Sequence, residues 1–171
     1  NLSDPASYEA GRDDVALLGF TSGTTGTLKA AQHTQASYAA ICRNLMLNLI
    51  DIRPGDVMMH AASLIHASGV FVIPYWLRGG TSVILPGFDP ATYLADLKRH
   101  RATAINLVPT MLQMLLQQDA FQDEYPDLRQ LIYGASPMPR PVIEAAMGSL
   151  SFAETCELPD HTTARQSSSA L

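Results

Sequence analysis

Hydroxyl side chains, glycines and one lysine are concentrated in the stretch 19–30, GFTSGTTGTLKA, directly after an apolar run. Gly23 and Gly26 can adopt positive φ angles and allow the backbone to approach a ligand closely. Successive backbone N–H groups can then bind an anion, and side-chain hydroxyls can donate further hydrogen bonds. Four residues supply these hydroxyls: Thr21, Ser22, Thr24 and Thr25. Lys29 adds a positive charge suited to a polyphosphate, so the stretch predicts a phosphate-binding loop.

The position of this loop in the chain supports a binding role. Residues 14–20, DVALLGF, predict a buried strand that ends where the loop begins. Ligands of α/β sheets bind at the carboxyl ends of strands, and this placement makes a flexible Gly/Thr linker the weaker alternative. The loop does not have the Walker A pattern, because its spacing G-x-x-G-x-x-K does not fit G-x-x-x-x-G-K-[ST].

The apolar patterns along the rest of the chain predict alternating strands and helices. Predicted strands cover 14–20, 56–62, 81–86, 103–109 and 128–136. Predicted helices cover 35–49, 68–78, 89–102, 110–118 and 140–147, with Thr34 and Asp89 as N-caps and with Tyr93, Leu94 and Leu97 facing inward. Strands that alternate with helices favour parallel pairing through right-handed crossovers, which gives a layered α/β domain.

The composition narrows the class of protein. The chain has 171 residues, of which 47% are hydrophobic and 16% charged, enough for one domain with a buried core. Its net charge of -5 argues against nucleic acid as a partner.

No apolar run approaches the roughly 20 residues of a membrane span, and the start of the chain lacks the features of a signal peptide. Cys42 and Cys156 have no paired spacing, so we expect a reduced, cytoplasmic protein. The first residue is not Met, so we also expect the chain to begin within a longer protein.

The stretch FTSGTTGTLKA resembles the phosphate-binding signature of the adenylate-forming superfamily, which includes acyl-CoA synthetases, luciferases and the adenylation domains of peptide synthetases. The pattern of that superfamily is close to [ST]-S-G-[ST]-T-G-x-P-K-G. Residues 21–26 and Lys29 match it, while Leu28 replaces the usual proline and Ala30 the usual glycine. The resemblance implies that the loop and a catalytic Lys29 hold the β- and γ-phosphates of ATP and stabilise the leaving pyrophosphate. Because proline restricts the backbone, Leu28 is expected to make the loop less rigid.

The stretch 63–71, SLIHASGVF, resembles the superfamily segment that carries an aromatic residue or a histidine beside the acyl carboxylate. The resemblance implies that His66 assists adenylation and gates the acyl pocket. Taken alone, a histidine in a mostly apolar run is more often a core residue with satisfied hydrogen bonds, so both interpretations stay open here.

Two further stretches resemble the superfamily in the expected order. Residues 131–139, LIYGASPMP, resemble the loop that packs on adenine, although alone they would be an ordinary turn between a strand and a helix. The resemblance implies that four residues line the base and the acyl end of the adenylate: Gly134, Ala135, Ser136 and Pro137. Residues 105–112, INLVPTML, resemble a segment of the acyl pocket.

The resemblance implies a two-step reaction with ATP, Mg²⁺ and a small carboxylic acid, followed by transfer to coenzyme A as co-substrate. The resemblance of residues 133–139, YGASPMP, to the adenine loop favours medium- or long-chain acyl or aryl acids as substrates. The expected fold is an incomplete, layered parallel-sheet part of the adenylate-forming ligase N-terminal domain. We find no Y-G-x-T-E segment with its Mg²⁺-binding Glu, so the chain contributes no predicted metal ligand and is expected to be inactive alone.

Three interpretations of the function stay open. The first is an N-terminal fragment of an acyl-CoA synthetase-like ligase. The second is a non-catalytic, truncated remnant with at most weak nucleotide binding. The third, an unrelated phosphate-binding α/β domain, would require the ordered motifs to match by accident.

The last part of the sequence differs from the rest. Residues 1–147 are expected to form a partial AMP-binding domain, while 148–171 are Ser/Thr-rich, have no sustained periodicity and are expected to be a disordered or frameshifted tail. One permitted coding of residues 161–167, HTTARQS, encodes Tyr-Tyr-Gly-Gln-Thr-Glu in a shifted frame. This is the Y-G-x-T-E segment, so a frameshift shortly after Met147 is our hypothesis for the tail.

Overall fold

A computed structural model describes residues 9–21, 29–122, 124–134, 137–149 and 154–157. The described strands are β1 (Val15–Thr21), β2 (Lys29–Thr34), β3 (Val57–His60), β4 (Thr81–Ile84), β5 (Ala104–Leu107), β6 (Gln130–Tyr133) and β7 (Glu154–Glu157). The described helices are α1 (Gln35–Asn48), α2 (Val72–Leu77), α3 (Pro90–Arg99), α4 (Pro109–Leu116) and α5 (Arg140–Ser149). Two 3₁₀ turns cover Ala67–Phe71 and Asp119–Gln122.

A parallel sheet organises most of the described chain. Its strands lie in the order β4-β3-β5-β6-β7, and every neighbouring pair is parallel. Met59 of β3 pairs with Val83 on one side and Ile105 on the other, and Ile105 also pairs with Leu131. The predicted α/β fold with parallel pairing is therefore confirmed.

Strands β3, β5 and β6 of this sheet are buried on both faces, as strands of parallel sheets usually are. Met58 and Met59 point to opposite faces, because successive side chains alternate along a strand. Met59 packs in a core with residues of α3 and α4, and Met58 packs in a second core with Phe71 and Tyr75. The predicted inward residues of α3 are all buried, namely Tyr93, Leu94 and Leu97.

Both predicted N-caps are confirmed. The side chain of Thr34 accepts a hydrogen bond of 3.2 Å from the backbone N–H of Ser37 at the start of α1. Asp89 accepts one of 2.9 Å from the N–H of Thr92 at the start of α3, and this bond holds the pKa of Asp89 below its usual value. Such caps satisfy N–H groups that have no partner within the helix.

The prediction of a buried first strand is wrong. β1 does not join the parallel sheet but pairs antiparallel with β2, and β2 is not predicted from the sequence. The apolar side chains of β1 remain 46–67% exposed; they are Val15, Leu17, Leu18 and Phe20. A short apolar run is compatible with a buried strand and with a hairpin strand, so the run alone could not distinguish them.

Two other segments depart from the predicted elements. The helix expected over 68–78 is split into the 3₁₀ turn Ala67–Phe71 and the shorter α2. After Met147, where the sequence predicts no regular structure, α5 continues to Ser149 and β7 adds a parallel strand beside β6. The sequence of β7, ETCE, has no apolar run, which explains why the apolar pattern missed this strand.

Candidate functional site

The predicted phosphate loop connects the two strands of a β-hairpin. Thr21, the last residue of β1, is the cross-strand partner of Lys29, the first residue of β2. Both ends of the loop are therefore held side by side by the hairpin. Residues 22–28 lie outside the described residues, and with them the predicted ligands Ser22, Gly23, Thr24, Thr25 and Gly26. The loop thus does not lead from a parallel strand into a helix, as the sequence suggested.

The hairpin is attached to the rest of the described chain at the end opposite to this loop. Thr34 ends β2 and caps α1, while the N–H groups of Gln35 and Ala36 donate to the carbonyls of Asp14 and Arg12 at 2.8 and 2.9 Å. These contacts lie beside the pair Val15–Thr34, whereas Thr21 and Lys29 form the far end of the hairpin. The phosphate loop is therefore presented at the tip of an antiparallel arm that starts at α1.

His66 lies in the segment that leaves the carboxyl end of β3. It directly precedes the 3₁₀ turn Ala67–Phe71, and its side chain is exposed. Its N–H donates to the carbonyl of Ser63 at 3.2 Å, and its carbonyl accepts from the N–H of Gly69 at 3.1 Å. An exposed side chain excludes the interpretation of His66 as a core histidine and leaves the ring accessible to a ligand.

A different histidine, His60, is the buried one. It ends β3 and is 0% exposed. Its Nδ1 lies 2.9 Å from the hydroxyl of Ser68, and its Nε2 lies 3.3 Å from the hydroxyl of Ser82. Burial lowers the pKa of His60 to about 4, so the ring is neutral at pH 7. Sequence reasoning missed it, although His60 follows Met58 at the strand period of two and so occupies an inward position.

Gly69 allows the segment around His66 to fold tightly. A Cβ atom at this position would lie 1.9 Å from the carbonyl oxygen of Leu64, a distance that no side chain can occupy. Glycine is therefore required where the 3₁₀ turn crosses the preceding backbone. Because the backbone of Gly69 lies so close to the carbonyl of Leu64, His66 is held in a compact turn between these two residues.

The predicted adenine loop begins at the same edge of the sheet as the His66 segment. Gly134 directly follows β6 and is buried, Pro137 is exposed, and Ala135 and Ser136 lie outside the described residues. β3 and β6 are parallel and flank β5, so their carboxyl ends share one edge. The structure thus brings the segments of His66 and Gly134 to one edge, where α/β proteins bind ligands.

Polar groups at the opposite, amino-terminal edge form an ion-pair network. Asp56 precedes β3 and Arg129 precedes β6, and their side chains pair at 2.5 Å. Asp56 also accepts from the N–H of Arg53 at 2.7 Å. Thr103, which precedes β5, accepts from the N–H of Val57 at 2.9 Å through its hydroxyl. These contacts join three neighbouring strands at their starts.

Metal-binding clusters and membrane-spanning helices are both absent from the part of the chain that the structure describes. No group of three His, Cys, Asp or Glu side chains there could hold a metal ion. None of the helices in these ranges is long and apolar enough to span a bilayer.

Residues 3–154 match the AMP-binding enzyme family. The chain therefore belongs to the AMP-binding enzyme family, and the resemblance noted in the sequence is confirmed.

The curated relatives are CoA ligases. Feruloyl-CoA synthase of Amycolatopsis sp is 33% identical over 80% of this chain and 28% of its own length. The long-chain-fatty-acid–CoA ligase FadD13 of Mycobacterium tuberculosis is 28% identical over 83% of this chain and 28% of its own length. The chain thus spans little more than a quarter of the length of these relatives.

Solved structures show the same fold. The inhibitor-bound N-terminal domain of FACL13 from Mycobacterium tuberculosis superposes with a TM-score of 0.81 at 29% identity, over 94% of this chain and 40% of that domain. ATP-bound MatB from Rhodopseudomonas palustris gives a TM-score of 0.75 at 31% identity, over 88% of this chain and 30% of its own. The layered fold predicted from the sequence is therefore that of adenylate-forming ligases.

Proposed function

We propose that this chain supplies the phosphate-binding loop and the acyl-facing segment of an ATP-dependent carboxylic acid–CoA ligase. The observation that carries the proposal is the signature at 21–29, whose ends pair across a hairpin within the family match. In the first step a carboxylate oxygen attacks the α-phosphorus of ATP, and pyrophosphate leaves. In the second step the sulfur of coenzyme A attacks the acyl carbon, AMP leaves, and the thiol loses its proton.

The phosphate loop is proposed to stabilise the charge of the leaving pyrophosphate. The hydroxyls and N–H groups of residues 21–26 would donate to the β- and γ-phosphates, and Lys29 would add a positive charge. The hairpin supports this role because it holds Lys29 beside Thr21 at the end of the loop. Preorganised donors of this kind stabilise developing charge without reorganisation during the reaction.

The carboxyl edge of the sheet is proposed to bind the acyl group and the base. His66 would lie beside the acyl carboxylate, and its exposure supports contact with a ligand. Gly134, Ala135, Ser136 and Pro137 would line the adenine and the acyl end of the adenylate. The start of this loop at the end of β6, on the same edge as the His66 segment, supports that assignment.

Mg²⁺, when bound with ATP, would neutralise phosphate charge and orient the leaving group. No group of three metal-ligating side chains occurs among the described residues, so no side chain of this chain is assigned to Mg²⁺. Lys29 is the positive charge that this chain is proposed to offer to the phosphates.

Titration of the 171-residue chain with a non-hydrolysable ATP analogue tests the binding part of the proposal. We expect saturable binding that Lys29→Ala weakens about tenfold, which corresponds to the loss of one charge-assisted contact. Lys98→Ala is the matched control, because Lys98 is exposed on α3 beside Tyr125, and it should bind as the wild type does. Equal affinity in the wild type and Lys29→Ala would contradict the role of Lys29.

Pyrophosphate exchange with a panel of medium-chain, long-chain and aryl carboxylic acids tests the reaction. Exchange that depends on one class of acid would identify the substrate class. ATP binding without exchange would favour the second interpretation, a nucleotide-binding module without catalysis. The replacement of the usual proline and glycine of the signature by Leu28 and Ala30 is the observation that favours this second candidate.

A further inference from the structure

We propose that His60 is a positioning residue, which holds the segment carrying His66 against the parallel sheet through a hydrogen bond to Ser68. The consequence for catalysis rests on the proposed function, because it is there that His66 is assigned to the acyl carboxylate. The anchoring itself is a property of the described chain and can be measured without turnover.

The contact is buried and joins two different elements. His60 ends β3, and Ser68 lies in the 3₁₀ turn that follows the loop after that strand. The two side chains are 0% and 1% exposed, and Nδ1 lies 2.9 Å from the hydroxyl oxygen. Since Ser68 is two residues after His66, fixing its side chain restricts the backbone that presents His66.

The imidazole also contacts the neighbouring strand. Its Nε2 lies 3.3 Å from the hydroxyl of Ser82 on β4, so the ring connects the edge strand of the sheet to the 3₁₀ turn. One nitrogen of a neutral imidazole donates and the other accepts, so one serine accepts from the ring while the other donates to it. An aliphatic side chain could fill this volume but could not hold Ser68 at a fixed position.

The compact turn transmits the anchoring to His66. The carbonyl of His66 accepts from the N–H of Gly69, and its own N–H donates to the carbonyl of Ser63. Gly69 lies so close to Leu64 that the two ends of the turn are in contact. A shift of Ser68 therefore displaces the whole turn, including the exposed His66.

Amide hydrogen exchange of the 171-residue chain, followed by mass spectrometry at pH 7, tests the anchoring. Ser68→Ala removes the contact to the 3₁₀ turn, and Ser82→Ala is the matched control that removes the other, longer contact of the same ring. We expect exchange over 63–71 to become about tenfold faster in Ser68→Ala, relative to exchange over Ala104–Leu107, and less than about twofold faster in Ser82→Ala. If Ser68→Ala only lowered the stability of the whole fold, exchange over 63–71 and over Ala104–Leu107 would accelerate equally. Equal acceleration would overturn the proposal.

Two variants of His60 provide a second measurement that does not depend on Ser68→Ala folding. Asn offers polar atoms near the position of Nδ1, whereas Gln reaches that of Nε2. His60→Asn should therefore keep exchange over 63–71 closer to the wild type than His60→Gln does, and equal exchange in both variants would overturn the proposal. If the ATP analogue does not bind, the proposed function fails, while these amide exchange rates still decide whether His60 anchors the segment.

Discussion

The amino-terminal and carboxyl-terminal edges of the parallel sheet are built from the ends of the same strands, yet their chemistry differs. At the amino-terminal edge Asp56, Thr103 and Arg129 each precede a strand, and their polar groups are paired with one another or with backbone groups. At the carboxyl-terminal edge β3 leads through His60 to the exposed His66, and β6 leads to Gly134.

This difference shows how one sheet separates stability from binding. The amino-terminal edge fixes the starts of the strands with short contacts and a nearly buried carboxylate. The carboxyl-terminal edge uses a neutral buried histidine, small residues and tight turns, which leave exposed groups available to a ligand. Variants at the amino-terminal edge should therefore cause the largest change in the free energy of unfolding. Variants at the carboxyl-terminal edge should also alter local order and ligand binding.

The largest expected effect is at the amino-terminal edge. Asp56→Ala leaves the Arg129 guanidinium without its close partner and removes the acceptor of the Arg53 N–H, so the free energy of unfolding should fall by about 3 kcal/mol. Urea denaturation measures this loss. Asp51→Ala is the control, because its side chain is 49% exposed and should contribute less than about 1 kcal/mol. A smaller loss for Asp56→Ala than for Asp51→Ala would contradict the comparison.

Gly69→Ala should have the next largest effect, at the carboxyl-terminal edge. The new Cβ would lie 1.9 Å from the carbonyl oxygen of Leu64, so the backbone of the turn must move, at a cost of about 2 kcal/mol. Thermal unfolding and the exchange of 63–71 would report this change. A Cβ at Gly87 meets no atom within 4 Å, so Gly87→Ala should change the stability by less than about 0.5 kcal/mol.

The lowered pKa of His60 should make the free energy of unfolding depend on pH. Its pKa is lowered to about 4 in the folded chain, against about 6.5 when unfolded, so the unfolded state binds more protons between these values. The contribution of His60 is therefore present above pH 6.5 and is lost as the pH falls towards 4. Urea denaturation at a series of pH values should show this slope in the wild type. The slope should be flatter in His60→Gln, and an unchanged slope would exclude His60 as its source.

The smallest expected effect concerns the phosphate loop. Leu28→Pro restores the residue usual in the signature, and by restricting the unbound loop it should leave the affinity for the ATP analogue unchanged or tighten it a few-fold, about 0.4–1 kcal/mol. Isothermal titration calorimetry would measure the change. Clearly weaker binding by Leu28→Pro would show that the hairpin needs a different loop conformation.

Features that depend on neighbouring residues, such as helix caps, were predictable from the sequence. Features that depend on pairing with another segment, such as β2, were not. Thr34 and Asp89 were identified as caps because a cap acts within one turn of its own helix. β2 was missed because its sequence, KAAQHT, has little strand preference and becomes a strand only through pairing with β1. Of the two histidines near the carboxyl edge, the sequence indicated His66 for chemistry, but only the packing shows that His60 is the buried one.

The proposed frameshift can be placed more narrowly with the structure. The family match reaches Glu154, and β7 continues to Glu157 beside β6. We therefore propose that the change of frame, expected shortly after Met147, lies after Glu157. Reading the coding nucleotides of residues 158–171 tests this. A shifted frame that continues into ligase-like sequence is expected, and a shifted frame that soon meets a stop codon would contradict it.

The exposed apolar side chains of β1 also have a calorimetric consequence. Heat capacity rises on unfolding because apolar surface becomes hydrated, by about 12–15 cal/mol/K per residue in ordinary domains. Val15, Leu17, Leu18 and Phe20 are already about half hydrated in the folded chain. The hairpin should therefore add little to the heat-capacity increment, which comes almost entirely from the parallel-sheet cores. The enthalpy of opening the arm that carries the phosphate loop should accordingly change only weakly with temperature.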